Sequence, residues 1–161
     1  VFACGGGIYT SAVDAAKKVE GAKVIGVDVD QAAVIAAYAA GEGADAATVE
    51  GYKALTVTSA MKGLYPATFD TLTDVIVNGN WEKYSGKIDT LGLVSADDPT
   101  ANYVQIPMES TQWADGKFTQ DDYKALVKAM FDGTLTVSND ITKAAKDFAT
   151  VITVDDQGNI K

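Results

Sequence analysis

Short apolar runs alternate with helical periodicity over the first 60 residues. Val1–Cys4 and Lys23–Val27 are apolar runs typical of buried strands. Between them, Thr10 or Ser11 can cap a helix whose apolar positions continue to about Val19. Two strands separated by a helix indicate parallel pairing, because parallel strands need a crossover connection. The pattern therefore predicts an α/β fold.

The rest of the chain continues this alternation. An alanine-rich stretch predicts a helix over Gln31–Ala40, whereas the glycine-rich Gly41–Gly51 predicts a surface loop. Thr119 can cap a helix that runs to Phe131. The other predicted elements are strands at Leu55–Thr58, Lys87–Val94 and Leu135–Val137, a helix from near Met61 or Pro66 to Val77, a polar turn at Ala96–Asn102, and a weaker tail. No second domain is assigned within residues 1–161.

Composition removes several classes of function. The net charge is −9, and the basic residues are all Lys, with no Arg and no His. An acidic surface argues against nucleic acid as a partner. Without His, a Ser-His-Asp triad and a His-ligated metal are both excluded. We therefore expect a binding protein that is not an enzyme and that carries no cofactor.

Polar residues follow the predicted strands at three places. Gly5–Gly7 separates the first strand from its helix, and glycines there let a ligand approach the backbone, although a plain tight turn explains them too. Asp28 ends the second strand, where ligands sit in open parallel sheets, and its carboxylate could accept bonds from two sugar hydroxyls. The alternative role of capping the next helix suits Asp30 better. Lys62, placed unfavourably at a helix start, indicates a partner in a cleft.

The glycine run and Asp28 together mimic a dinucleotide-binding fingerprint. Gly5 and Gly7 match its first two glycines, but the third position is Thr10. The third glycine normally allows close packing of helix against strand, so its replacement weakens the match. A nucleotide- or dinucleotide-dependent Rossmann-like enzyme is therefore kept as the alternative function.

Cys4 is the single cysteine, so the chain cannot form an internal disulfide. We expect a small buried residue on the first strand. A lipoprotein processing site around Val1–Gly5 is the alternative, which the bulky Phe2 fits poorly.

Three segments resemble the basic membrane protein (BMP) family of solute-binding lipoproteins. Val1–Gly7 and the helix that contains Asp14–Lys17 are similar to the family's "vIFxxaGGtgngvfeAAk" segment. Val24–Gln31 is similar to "vIGVDxDQ", and Val57–Lys62 resembles "vlTSmlK". Order and approximate spacing agree, and the match is strongest in residues 1–62.

The resemblance implies a fold, a ligand and partners. The chain would be the C-terminal part of a two-lobed protein, a parallel-sheet lobe of a type I periplasmic-binding-protein-like fold whose N-terminal lobe is absent from this chain. The ligand would be a nucleoside-like molecule, namely a purine nucleoside, held between the lobes and passed to the permease of an ABC transporter. The full-length protein would be extracytoplasmic and lipid-anchored to the cell membrane. A lobe without its partner exposes apolar surface, so we also expect self-association.

The family's site residues carry over to five positions here. Asp28 and Lys62 would hold ribose hydroxyls. Gly6 and Gly7 would approach the ligand through their backbone, and Phe2 would sit against the base, although packing in the core is the simpler role for Phe2.

Overall fold

The computed structural model describes residues 1–158 and, over these, shows a three-stranded mixed sheet with helices around it. The strands are β1 (Val24–Asp28), β2 (Thr56–Lys62) and β3 (Val104–Gln105). The helices are α1 (Tyr9–Ala16), α2 (Ala32–Ala40), α3 (Ala46–Tyr52), α4 (Leu64–Leu72), α5 (Trp81–Tyr84) and α6 (Gln120–Phe131). A 3₁₀ turn at Gly6–Ile8 leads into α1, and a π-helical turn at Thr73–Val77 extends α4.

The sheet is parallel in its first half and antiparallel in its second. β1 and β2 run parallel, with Asp28 opposite Met61 at their carboxyl ends, as the sequence predicts. β3 pairs antiparallel with β2, so the expectation of a purely parallel sheet is wrong at this edge. The connection from β2 to β3 contains α4, the π-helical turn and α5, and it brings the chain back antiparallel to β2, where the Gly63 N–H donates to the Tyr103 carbonyl at 2.8 Å.

The predicted first strand, Val1–Cys4, forms only one isolated β-bridge. Phe2 forms an isolated parallel bridge with Ile25, and the Ile25 N–H donates to the Val1 carbonyl at 2.9 Å. The glycine run begins three residues after Phe2, so a longer ladder cannot continue. The extended segment still lies beside β1 and parallel to it.

The core lies where α1 and α2 pack against β1. Val13, Val24 and Ile35 are fully buried there. Alanines at the helix contacts allow close approach, which is how an alanine-rich sequence builds a core from small side chains. The buried cluster is Ala3, Ala12, Val13, Ala16, Val24, Ile35 and Ala39. This packing fixes the carboxyl end of β1 relative to the start of both helices.

Most predicted helices are confirmed, and one predicted loop is wrong. Gly41–Gly51 contains most of α3, because the Asp45 side chain accepts a hydrogen bond from the Thr48 N–H at 2.8 Å and so caps the helix. The helix with Thr119 as its cap is confirmed as α6, and Asp122 completes a reciprocal capping box.

Two predicted strands are absent from the described residues. Lys87–Val94 has no regular secondary structure, and Ile88 in it is fully exposed. Leu135–Val137 is irregular too, and so is most of the tail up to residue 158. Apolar composition favoured strands at both places, but the fold brings no neighbouring strand to them.

The chain exposes far more surface than its mass requires. Its accessible area is 11312 Å² at 16.8 kDa, whereas a compact monomer of this mass exposes about 7,600 Å². Residues 132–158 are largely irregular and almost all exposed, so they contribute much of this excess of about 3,700 Å². Over residues 1–158, no helix is both long enough and apolar enough to cross a bilayer.

Candidate functional site

Two opposite charges meet at the carboxyl ends of the parallel strands. Asp28 is the last residue of β1, and Lys62 is the last residue of β2. Because the two strands are adjacent and parallel, both residues lie at the same edge of the sheet. The Lys62 Nζ lies 2.6 Å from the Asp28 Oδ1. The sequence placed both residues at the same candidate cleft, and the structure brings them into contact.

Asp28 occupies a strained turn. Its φ is 70°, and it is the one residue other than glycine with positive φ among those described. The Val29 N–H donates to the Val27 carbonyl at 2.8 Å across it, which is the hydrogen bond of a γ-turn. A γ-turn with positive φ is rare and strained, although Asp tolerates this region better than most residues. The turn lets the chain leave β1 abruptly, with the carboxylate at the strand end.

The charged pair is open to solvent. The Asp28 side chain is 34% exposed and that of Lys62 is 66% exposed. The hydrogen bond to Asp28 raises the pKa of the Lys62 ammonium, and the negative charge of Asp28 adds to this shift. An exposed pair of this kind contributes little to folding stability. The pair is therefore accessible to a ligand that can bond to a carboxylate and an ammonium together.

The glycine turn lies beside the Asp28 carboxylate. A Cβ atom on Gly6 would lie 3.5 Å from the Asp28 Oδ2, so the missing side chain leaves bare backbone next to the acid. A Cβ atom on Gly7 would meet nothing within 4 Å. Gly6 thus forms a wall of the candidate site, and Gly7 faces open space at its rim.

Phe2 lies further from this cluster. It pairs with Ile25, three residues before Asp28, which places it roughly 10 Å back along the strand direction at about 3.3 Å per residue. Its side chain is half exposed, so the expected role in core packing is wrong. The structure thus groups Asp28, Lys62 and Gly6, with Gly7 at the rim and Phe2 set apart.

Cys4 lies in this region, and its expected burial is wrong. The residue is exposed, because the chain turns into the glycine run directly after it and no strand covers it. Cys4 makes a small electrostatic contribution to the raised pKa of Lys62.

Gln31 connects the glycine turn to the end of β1. From the sequence alone it is predicted only as the start of a helix. It is 5% exposed. Its Oε1 accepts from the Val27 N–H at 2.9 Å, and its Nε2 donates to the Gly6 carbonyl at 3.1 Å. Its backbone N–H donates to the Ser59 Oγ at 3.1 Å. The sequence holds one indication of a special role for Gln31: it stands at the start of a helix, where Ser, Thr, Asp or Asn is the usual cap.

A concavity of about 690 Å³ lies on the α2 and α3 side of the molecule, and Asp28 and Lys62 are not among the residues that line it. Asp30 stands at its border, accepting from the Ala32 N–H at 3.1 Å and from the Ser110 Oγ at 2.7 Å. Asp30 therefore bonds to the first residue of α2, although the N-cap position of this helix is Gln31, which makes no side-chain cap bond. Glu50 and Lys53 pair with each other there at 2.7 Å. In the described part of the chain, no three or more Cys, Asp or Glu side chains are grouped to hold a metal ion.

Comparison with known proteins adds no relative: no family model, no curated protein and no solved structure matches this chain. A function for this chain is therefore supported by the geometry around Asp28 and by the resemblance of the motifs.

Proposed function

We propose that the chain is the ligand-binding lobe of a solute-binding protein of an ABC importer, and that its ligand is a purine nucleoside. The observation that carries the proposal is the Lys62–Asp28 pair, 2.6 Å apart at adjoining strand ends beside Gly6. The resemblance to the BMP motifs predicts these same residues as the ribose contacts. Geometry and motif resemblance thus favour one place on the molecule.

The chemistry of the pair suits two adjacent hydroxyls. A carboxylate only accepts hydrogen bonds and an ammonium only donates them, whereas a hydroxyl does both. One ribose hydroxyl can donate to Asp28 while its neighbour accepts from Lys62. Because the two charges offset each other, a neutral ligand enters without a net charge penalty. A phosphate adds negative charge that the neutral pair leaves unbalanced, and it meets the net charge of −9 on the chain, so we expect nucleosides to bind more tightly than nucleotides.

The proposal includes a second lobe across the ligand, in the arrangement of a type I periplasmic-binding-protein-like fold. Exposed apolar side chains close in sequence to the site residues, Ile8 after Gly7 and Leu64 soon after Lys62, support a covering partner. In the same proposal the protein is extracytoplasmic, lipid-anchored to the cell membrane, and delivers its ligand to the permease. Binding and release involve no chemical step, so the residues act only by recognition.

Titration of the ¹⁵N-labelled chain tests the proposal, because chemical shifts detect even millimolar binding to one lobe. The panel is inosine, adenosine, ribose, adenosine monophosphate and NADH. We expect inosine or adenosine to shift the amide signals of Gly6, Gly7, Asp28 and Lys62, and to leave those of α6 unchanged. Adenosine monophosphate should shift them less at equal concentration.

The panel separates the alternatives. Strong shifts with NADH and weak shifts with nucleosides would replace the proposal by the dinucleotide-dependent enzyme. Shifts with ribose alone, equal to those with inosine, would make the ligand a sugar. An unchanged spectrum with every compound at about 10 mM, far above the usual affinity of a binding protein, would contradict nucleoside binding by this chain.

A further inference from the structure

We propose that Gln31 is a positioning residue of the Asp28–Lys62 site, setting the distance between the Gly6 backbone and the Asp28 carboxylate. This inference rests on the proposed nucleoside function for its ligand, but its structural part can be tested without one. Gln31 lies outside the ligand-facing set, and acts through the two segments that it joins.

The side-chain amide of Gln31 connects the glycine turn to the end of β1. On one side, its Oε1 accepts from the Val27 N–H at 2.9 Å. On the other side, its Nε2 donates to the Gly6 carbonyl at 3.1 Å. A single rigid amide plane therefore bridges the residue before Asp28 and the residue that faces its carboxylate. Both bonds hold backbone atoms, so moving Gln31 moves the walls of the site.

Gln31 also supports the strained turn at Asp28. The Val27 carbonyl is bonded to the Val29 N–H across that turn, at 2.8 Å. With Gln31 bonded to its N–H, both backbone polar groups of Val27 are occupied. Strained backbone persists only where the surroundings over-determine it. Gln31 helps to hold the strained turn in place, because its Oε1 bonds to Val27, the residue on which the turn begins.

The position of Gln31 is itself fixed by packing. Its backbone N–H donates to the Ser59 Oγ on β2, and Ser59 is fully buried. A Cβ atom on Gly26 would lie 2.9 Å from the Gln31 Cβ and 2.5 Å from the Ser59 Oγ, so only glycine fits there. Gln31 therefore packs directly against β1 and β2, over Gly26 and Ser59. A buried amide held this way has little freedom to adopt another rotamer.

Three variants test the proposal with inosine as the probe. Gln31→Leu removes both amide bonds at similar size. Gln31→Glu keeps the acceptor for Val27 but loses the donor to Gly6 while it is ionised. Gln112→Leu is the matched control, because the Gln112 Nε2 donates to the carbonyls of Ala54, at 2.8 Å, and Thr56 at the opposite end of β2.

We expect Gln31→Leu to weaken inosine binding about tenfold, which is 1.4 kcal/mol. Gln112→Leu should lose stability but keep the wild-type affinity within about twofold, about 0.4 kcal/mol. Gln31→Glu should bind weakly at pH 7.5 and recover at pH 5 relative to wild type at the same pH. Burial favours the neutral acid at that position, and the protonated carboxyl can again donate to Gly6.

Amide hydrogen exchange tests the positioning role of Gln31 without any ligand. The Ile8 N–H donates to the Gly5 carbonyl at 3.3 Å, so its protection reports on the glycine turn. We expect faster exchange at Ile8 in Gln31→Leu and unchanged exchange in Gln112→Leu. Equal exchange in both variants would overturn the positioning role, as would wild-type affinity in Gln31→Leu or a pH-independent defect in Gln31→Glu. If the wild type binds no nucleoside, the proposed function fails while the exchange result still decides the role of Gln31.

Discussion

Replacing Gly26 by alanine should destabilise the protein by about 1–3 kcal/mol, the usual cost of an extra methyl group in a packed site. The new Cβ atom would lie 2.5 Å from the Ser59 Oγ and 2.9 Å from the Gln31 Cβ, closer than Cβ atoms approach other atoms in real structures. Ser59 is fully buried and Gln31 is 5% exposed, so neither can swing into solvent. Strand β1 must shift instead.

The size of this loss can be measured by calorimetry or by urea denaturation. For a domain of this length, 1 kcal/mol corresponds to about 2–4 °C in Tm, so Gly26→Ala should lower Tm by roughly 2–12 °C. Gly51→Ala is the matched control. Gly51 lies inside α3, where a Cβ atom meets nothing within 4 Å. Alanine there should raise stability by about 0.5–1 kcal/mol.

The two alanine substitutions therefore have opposite predicted signs. A Gly26→Ala protein as stable as wild type, beside a stabilised Gly51→Ala protein, would refute the close packing of Gln31 against Ser59. Gln31 would then have space to move and could not act as a fixed support.

Two further predictions concern the α4 region. Hydrogen bonds, first from Lys83 and then from Asn80, hold the pKa of the Asp74 carboxyl well below its usual range. This stabilisation is present above about pH 4 and is lost as the pH falls through the lowered folded value. Asp74→Asn should therefore lose less stability than wild type in urea denaturation between about pH 5 and about pH 2, and an equal loss would contradict this. Phe69 and Ile76 expose apolar surface on α4 and its π-helical extension, where we expect a second copy of the chain to dock. Light scattering should show association that grows with salt, because salt screens the −9 charge, and that Phe69→Glu weakens; a monomer at every concentration and salt level would contradict it.

The candidate site was largely accessible to sequence reasoning because it follows from topology. Once Lys23–Val27 and Leu55–Thr58 are taken as parallel strands, their carboxyl ends must share an edge, and Asp28 and Lys62 follow those ends. The structure shifts the strand ends by one residue in β1 and by four in β2, so that both residues are the last members of their strands. That shift does not matter to the pairing.

The residues that sequence reasoning missed depend on tertiary contacts. Gln31 looks like an ordinary helix start, and its role needs knowledge of where Gly6 and Val27 come to lie. Lys87–Val94 has the composition of a strand, but strand formation needs a neighbour, which the local sequence does not specify. β3 is too short for any periodicity to reveal.

The most direct test of the central claim compares inosine with 2′,3′-dideoxyinosine, which lacks both ribose hydroxyls, in wild type and in Asp28→Ala. In the full-length protein, where the proposed second lobe would bury the exposed pair together with its ligand, the account predicts that wild type prefers inosine by roughly 5- to 150-fold, corresponding to about 1–3 kcal/mol for buried polar groups left without a partner. Asp28→Ala should lose most of that preference while its circular dichroism spectrum stays native. Equal affinity of wild type for the two compounds, or an undiminished preference in the variant, would contradict ribose recognition by Asp28.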